Sequence, residues 1–189
     1  MKSFLFTLVF TLTCCLTAAA QNKACTLKLS QAPEIRGLRL GMEIKQVLSF
    51  LPQLDIKPAD EFGYSHTSFS FSQMTDEELK RLKFDRKGIS YIGLDFLDGK
   101  LISLLVAYDD TVRWASLDEF VSKLNASFNL PGAWQSNDSD KGLTCDGFEI
   151  RASLAGNTGS LSLFDITSER ALMARKAEKR EKQKQAFRP

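Results

Sequence analysis

The chain is poor in the residues from which small active sites are usually built. Its 189 residues include one histidine, His66, and four cysteines. A zinc site needs several imidazole or thiolate ligands, so a second histidine or a free cysteine pair would be required. A Ser-His-Asp or Cys-His centre would have to use His66, and no GxSxG elbow surrounds any serine. Phosphate-binding loops are missing too. The stretch 93–100 has the wrong glycine spacing, Leu101 stands where Ser or Thr is required, and no dinucleotide fingerprint appears. No cofactor is expected. Five prolines, 43% hydrophobic and 25% charged residues exclude a disordered or collagen-like chain. After the first twenty residues no long apolar run follows, so no transmembrane helix is predicted in the mature chain.

Carboxylates are more plentiful than bases or nucleophiles. Asp109-Asp110 ends an apolar run, and Asp138-Ser139-Asp140 precedes Gly142. A calcium loop of the EF-hand kind needs further ligands and a closing Glu that are absent. Acids at this spacing are ordinary turn formers. A hydrolase using two carboxylates is an alternative reading, but nothing points to which two.

Residues 1–20 have the order of an export signal: Lys2, an apolar stretch from Phe4 to Leu16, then Ala18-Ala19-Ala20 as a cleavage site. A retained anchor would need roughly 20 apolar residues, and this run is shorter. Removal leaves Cys25 and Cys145. An even pair in an exported chain is predicted to form one structural disulfide. By the chain-entropy argument, closing a loop of about 120 residues stabilises by ~4–5 kcal/mol at most. The expected location is periplasmic or secreted.

The net charge of +2 hides an asymmetry. Residues 21–168 hold 16 basic and 20 acidic side chains, whereas residues 169–189 hold eight and three. A mildly acidic body therefore carries a basic tail whose cations are Arg170, Arg175, Lys176, Lys179, Arg180, Lys182, Lys184 and Arg188. Ser168 is a candidate cap for a tail helix, and Glu178 with Lys182 form a favourable i,i+4 pair. Nucleic acid is not an expected partner. An anionic surface, membrane or lipopolysaccharide, is the tail's natural alternative.

Between leader and tail the elements recur. Met42, Val47 and Leu51 give a partial helical stripe that stops at Pro52. Thr67, Phe69 and Phe71 alternate as a strand. Thr75 to Glu78 is a capping box, predicting a short helix to about Phe84. Ile92, Leu94 and Phe96 alternate, Asp98-Gly99 is a hairpin turn, and 101–108 is a second strand. Ser116 with Glu119 is another capping box before an apolar face of Leu117, Phe120, Val121, Leu124 and Phe128. Leu130-Pro131 ends that helix. Phe148 to Leu154 and Leu161 to Ile166 form a second hairpin around 155–159. The expectation is an α+β fold, helices on one face of an antiparallel sheet, in two tandem helix-plus-hairpin units at about 33–110 and 111–167. Aromatic side chains supply large contact area at interfaces, so Tyr64, Tyr91, Tyr108 and Trp134 are the candidate contacts for an unidentified protein partner.

The stretch IRGLRLGMEIKQVLSFL (35–51) resembles the opening helix of small exported bacterial proteins. These are the beta-lactamase-inhibitor-protein-like group and the small barrel-assembly lipoproteins of the SmpA/OmlA type. The turn Asp98-Gly99-Lys100-Leu101 is similar to the hairpin that follows that helix in the group. The chain also looks like exported bacterial proteins reading SLDEFV…LP…W…C.GF.I and ending in a basic tail. The resemblance implies the same tandem α+β units and speaks to fold more than to function. The lipid-attachment cysteine of the lipoproteins is absent, and no inhibitory residue is carried over.

Overall fold

The computed structural model describes residues 24–75, 77–78, 87–132, 134–137 and 139–187. The expected leader, most of the helix predicted from Thr75, Asp138 and Arg188 lie outside them. Among the described residues, the helices α1 (Ile44–Phe50), α2 (Leu117–Phe128) and α3 (Ile166–Ala186) accompany seven strands. These are β1 (Tyr64–Ser70), β2 (Ile89–Leu97), β3 (Lys100–Tyr108), β4 (Gln135–Ser136), β5 (Asp140–Thr144), β6 (Phe148–Ala155) and β7 (Thr158–Asp165). All seven join one antiparallel sheet in the order β1-β2-β3-β7-β6-β5-β4. The fold class is α+β.

Local chemistry explains the boundaries. At the β2–β3 turn, Asp98 (φ 51°) and Gly99 (φ 78°) both adopt positive φ, which a tight two-residue hairpin demands. Ser116 Oγ accepts from the Glu119 N–H at 3.2 Å, and the Glu119 carboxylate accepts from the Ala115 N–H at 2.8 Å. The reciprocal bond of that capping box thus lands one residue upstream of the cap. Asn129, left-handed at φ 51°, closes α2. The Thr75–Glu78 box forms as well, with Glu78 Oε2 accepting from the Thr75 N–H at 2.8 Å.

Three boundaries differ from the sequence reading. Met42 precedes α1, because its carbonyl accepts from the Leu101 N–H and the Gly41 N–H donates to the Leu101 carbonyl. α3 begins at Ile166, since Asp165, not Ser168, caps it by accepting from the Thr167 and Ser168 N–H groups at 3.0 Å each. Phe71 lies in a single 3-10 turn (Phe71–Gln73) after β1.

The main core takes alternate strand positions. Ile92, Leu94, Phe96, Leu104, Val106, Phe148, Ile150, Leu161 and Leu163 are buried in one cluster with Val47 of α1 and Phe120, Val121 and Leu124 of α2. Gly159 has no Cβ because the Phe120 ring occupies that space: a Cβ there would sit 2.8 Å from Cζ. Leu172 of α3 does not join this cluster. It packs with Leu97, Ile102, Phe62 and Tyr64 in a second, smaller one.

The predicted bridge is present. Cys25 and Cys145 are bonded (S–S 1.97 Å) across 120 residues. It fastens the N-terminal lead to the β5–β6 turn, where Asp146 N–H donates to the Leu27 carbonyl at 2.9 Å.

Candidate functional site

The strand positions that alternate with the main core form the other face of the sheet. Strand register aligns them in three rows. One runs His66, Asp95, Ser103, Phe164, Glu149, Thr144. The next runs Ser68, Gly93, Leu105, Ser162, Arg151, Gly142, and the third Ser70, Tyr91, Ala107, Ser160, Ser153, Asp140. His66, Ser68, Arg151 and Thr144 are exposed, Gly93 and Ser103 are buried, and the others are half-buried. The face is largely serine, glycine and alanine, with Tyr91, Leu105, Phe164 and a few charges set among the hydroxyls.

Its aromatic groups are held low. A Cβ on Gly93 would lie 3.3 Å from Tyr91 Cε1 and 3.4 Å from its hydroxyl. The missing side chain lets the Tyr91 ring lean over the neighbouring position on its own strand. Phe164 lies beneath the Arg151 guanidinium, 5.4 Å from the ring centroid. Arg151 Nε donates to Glu149 Oε1 at 2.5 Å, and this pairing raises the guanidinium's pKa further.

At the β1 edge, Asp95 Oδ1 accepts from the Tyr64 hydroxyl at 2.7 Å and meets His66 Nδ1 at 2.7 Å. Burial, then the bond to Asp95, pushes the Tyr64 phenol well above its usual range. Asp95 thus orients both Tyr64 and His66 at this edge.

α3 lies against one end of this face. Arg175 donates to Asp98 at 2.9 and 2.7 Å in a two-pronged pair, and to the Phe62 carbonyl at 2.6 Å. Lys176 stands 4.9 Å from the Tyr64 ring centroid, and Lys179 pairs with Glu61. Lys182 pairs with Glu178 at 2.7 Å and Lys184 with Glu181 at 3.6 Å. The basic tail is therefore a helix whose cations Arg175, Lys176 and Lys179 are engaged by the body. Where α3 leaves the sheet, burial raises the Glu169 carboxyl above its ordinary range; Arg151 opposes the shift, and Glu149, Asp95 and Asp165 add to it.

Of the aromatic contacts predicted from sequence, Tyr64 and Tyr91 stand on this face. Tyr108 and Trp134 pack against the main core instead. Tyr108 meets the Phe120 ring edge-on at 6.0 Å, and Trp134 Nε1 donates to Asn125 Oδ1 at 2.7 Å. Sequence reasoning missed Leu105, Ser162 and Phe164. Their alternation within β3 and β7 was the available signal. The acids at 109–110 serve locally: Asp109 accepts from the Thr111 N–H at 3.0 Å, and Asp110 pairs with Arg113 at 3.4 Å. Among the described residues no cluster of three metal-ligating side chains occurs, and no helix is long and apolar enough to cross a membrane. No known protein family, curated protein or solved structure matches the chain.

Proposed function

We propose that the protein is an exported, non-enzymatic binding module that holds a protein partner on the open face of its sheet. Its two halves would be tandem helix-plus-hairpin units, α1 and α2 covering the face opposite. The observation that carries this is the three-row alignment: six strands present hydroxyls, small residues and a few rings over one continuous, half-exposed surface. A rigid sheet holding such groups keeps the entropy cost of binding low. The disulfide suits an oxidising compartment, and the resemblance of 35–51 to small exported bacterial proteins agrees with export.

The test uses three arginine substitutions on immobilised protein. Ser68→Arg and Ser162→Arg place bulk on the face, and Ser122→Arg places it on exposed α2. A stoichiometric partner from envelope extract should be retained by wild type and Ser122→Arg and lost by the other two. Equal retention by all three contradicts the reading.

A second reading has its own observation. Met173 (59% exposed) and Phe187 (74%) are the large hydrophobic side chains left exposed among the described residues. They share α3 and its end with the exposed cations Arg180, Lys182 and Lys184. Apolar side chains among cations suit an anionic membrane surface. Binding to anionic vesicles should fall steeply with salt and vanish when 180–189 are removed. Salt-independent or tail-independent binding contradicts it.

A further inference from the structure

α3 is held to the body by one side, which fixes the side it leaves free. Leu172 is buried, Arg175 grips Asp98, and Lys179 pairs with Glu61. On the free side Met173, Lys176, Arg180 and Gln183 follow at intervals of three, four and three, the spacing of neighbours along one helix face. Where that side meets Phe62 and Lys179, the same four residues line an open recess of about 360 Å³. Phe187, directly after α3, stands fourteen positions from Met173, close to four turns at 3.6 residues per turn. The two exposed hydrophobic side chains therefore lie about 21 Å apart on one side of the helix, with cations between them.

These cations are not equivalent. Lys179 is matched by Glu61 and lies 5.4 Å from the Phe62 ring centroid, so it shapes the recess more than it charges it. Lys176 stands over the Tyr64 ring, a contact that steadies the ammonium without cancelling its charge. Arg180 is exposed and forms no ion pair among the described residues. Lys182 and Lys184 are each paired with a glutamate of the helix itself. Between Met173 and Phe187, the positive charge without an acidic partner is thus that of Lys176 and Arg180.

We propose that this side of α3 is a membrane-docking face. Met173 and Phe187 enter the acyl boundary of an anionic phospholipid leaflet, and Lys176 and Arg180 take lipid phosphates in the stretch between them. A free phosphate would use the two cations and leave both hydrophobic side chains in water, whereas a bilayer surface offers anions and hydrocarbon together. The rest of the helix is polar, so docking buries little apolar area and depends on charge. The inference rests on the anionic-surface reading above and adds a fixed orientation to it, which a merely basic tail would lack.

Two substitutions that remove the same charge from opposite sides of the helix test it. Arg180 and Lys182 are two positions apart, about 200° around the axis. The purified protein is mixed with phosphatidylcholine vesicles containing about 30 mol% phosphatidylglycerol, at roughly 0.1 M salt. Arg180→Gln should weaken binding about fivefold, the worth of one cation held against an anionic surface. Lys182→Gln should weaken it less than about twofold, because its charge lies a helix diameter further off and is screened. Met173→Gln, at unchanged charge, should cost about threefold or more. Met173→Trp should add fluorescence that brominated acyl chains quench, and Lys182→Trp should add fluorescence that they leave untouched. All these positions are exposed, so the fold is retained. Equal losses from Arg180→Gln and Lys182→Gln, or equal quenching at 173 and 182, overturn the proposal while leaving the tail an unoriented polycation. Absence of wild-type binding to the anionic vesicles overturns the anionic-surface reading and this proposal with it.

Discussion

Glycines 93 and 159 carry out opposite tasks with the same missing atom. Gly93 lets a ring lean along the open face, whereas Gly159 lets the Phe120 ring press against β7 from the core side. Gly159→Ala should destabilise by about 1–3 kcal/mol through overpacking. Gly132→Ala, where a Cβ meets nothing within 4 Å, should be close to neutral. Urea unfolding of both variants checks the contrast. Glu169 provides a second case. Its raised pKa means the folded state disfavours the ionised form, so its contribution to stability is full below the ordinary carboxylate pKa. That contribution is lost as pH rises through the elevated folded value. Glu169→Gln should therefore raise Tm at pH 7 and have almost no effect near pH 4. A gain that is the same at both pH values contradicts this. Residue roles set by near neighbours were legible in the sequence, such as the Ser116 and Thr75 caps. Asp98 was legible only as a turn residue. Its pairing with Arg175, 77 positions away, depends on where α3 crosses the sheet, and no local pattern encodes that.

Elements with their own apolar rhythm were read correctly. The β2–β3 hairpin shows alternation on both strands and a positive-φ turn, and α2 has a continuous buried stripe. β4 and β5 show no apolar rhythm in the sequence: Leu143 is the buried hydrophobic residue of β5, and both residues of the edge strand β4 are exposed. β5 is held by pairing with β6, and β4 in turn by pairing with β5. α3 is polar over most of its length, with Leu172 its buried residue. What the pattern could not give is the clamp that ties its first half to the body. Asp98→Asn should loosen it. Amide exchange across roughly 172–180 should quicken while the sheet's protection is retained. The Arg175 bond holds the Asp98 carboxyl below its usual range, so the clamp is present above the ordinary carboxylate pKa. It fails as pH falls through the lowered value, and wild type should come to resemble Asp98→Asn in strong acid. Unchanged exchange in the variant at neutral pH contradicts the clamp.

For the whole molecule, the α+β class was legible from periodicity, and the single bridge from the two cysteines that lie beyond residues 1–20. The candidate site was legible only in part. Tyr64 and Tyr91 could be named, but the rows joining them to Ser162, Arg151 and Phe164 depend on β3 pairing with β7, which sequence order does not give. That central pairing brings residues from both halves onto one surface and makes the sheet continuous. Cys145→Ser should lower stability by at most ~4–5 kcal/mol, the loop-entropy bound for a bridge of this span, and free the lead around 24–31. A loss well above that bound, or none, would contradict a purely tethering role. The most direct test of the binding-face account is a photo-crosslinking scan. A benzophenone amino acid is placed at Ser68, Ser162 or Arg151 on the open face, and at Lys45 or Ser122 on exposed helix positions. The expected result is one adduct of the same discrete mass from all three sheet positions and none from the helices. Adducts from Lys45 or Ser122 with silence across the sheet would contradict it.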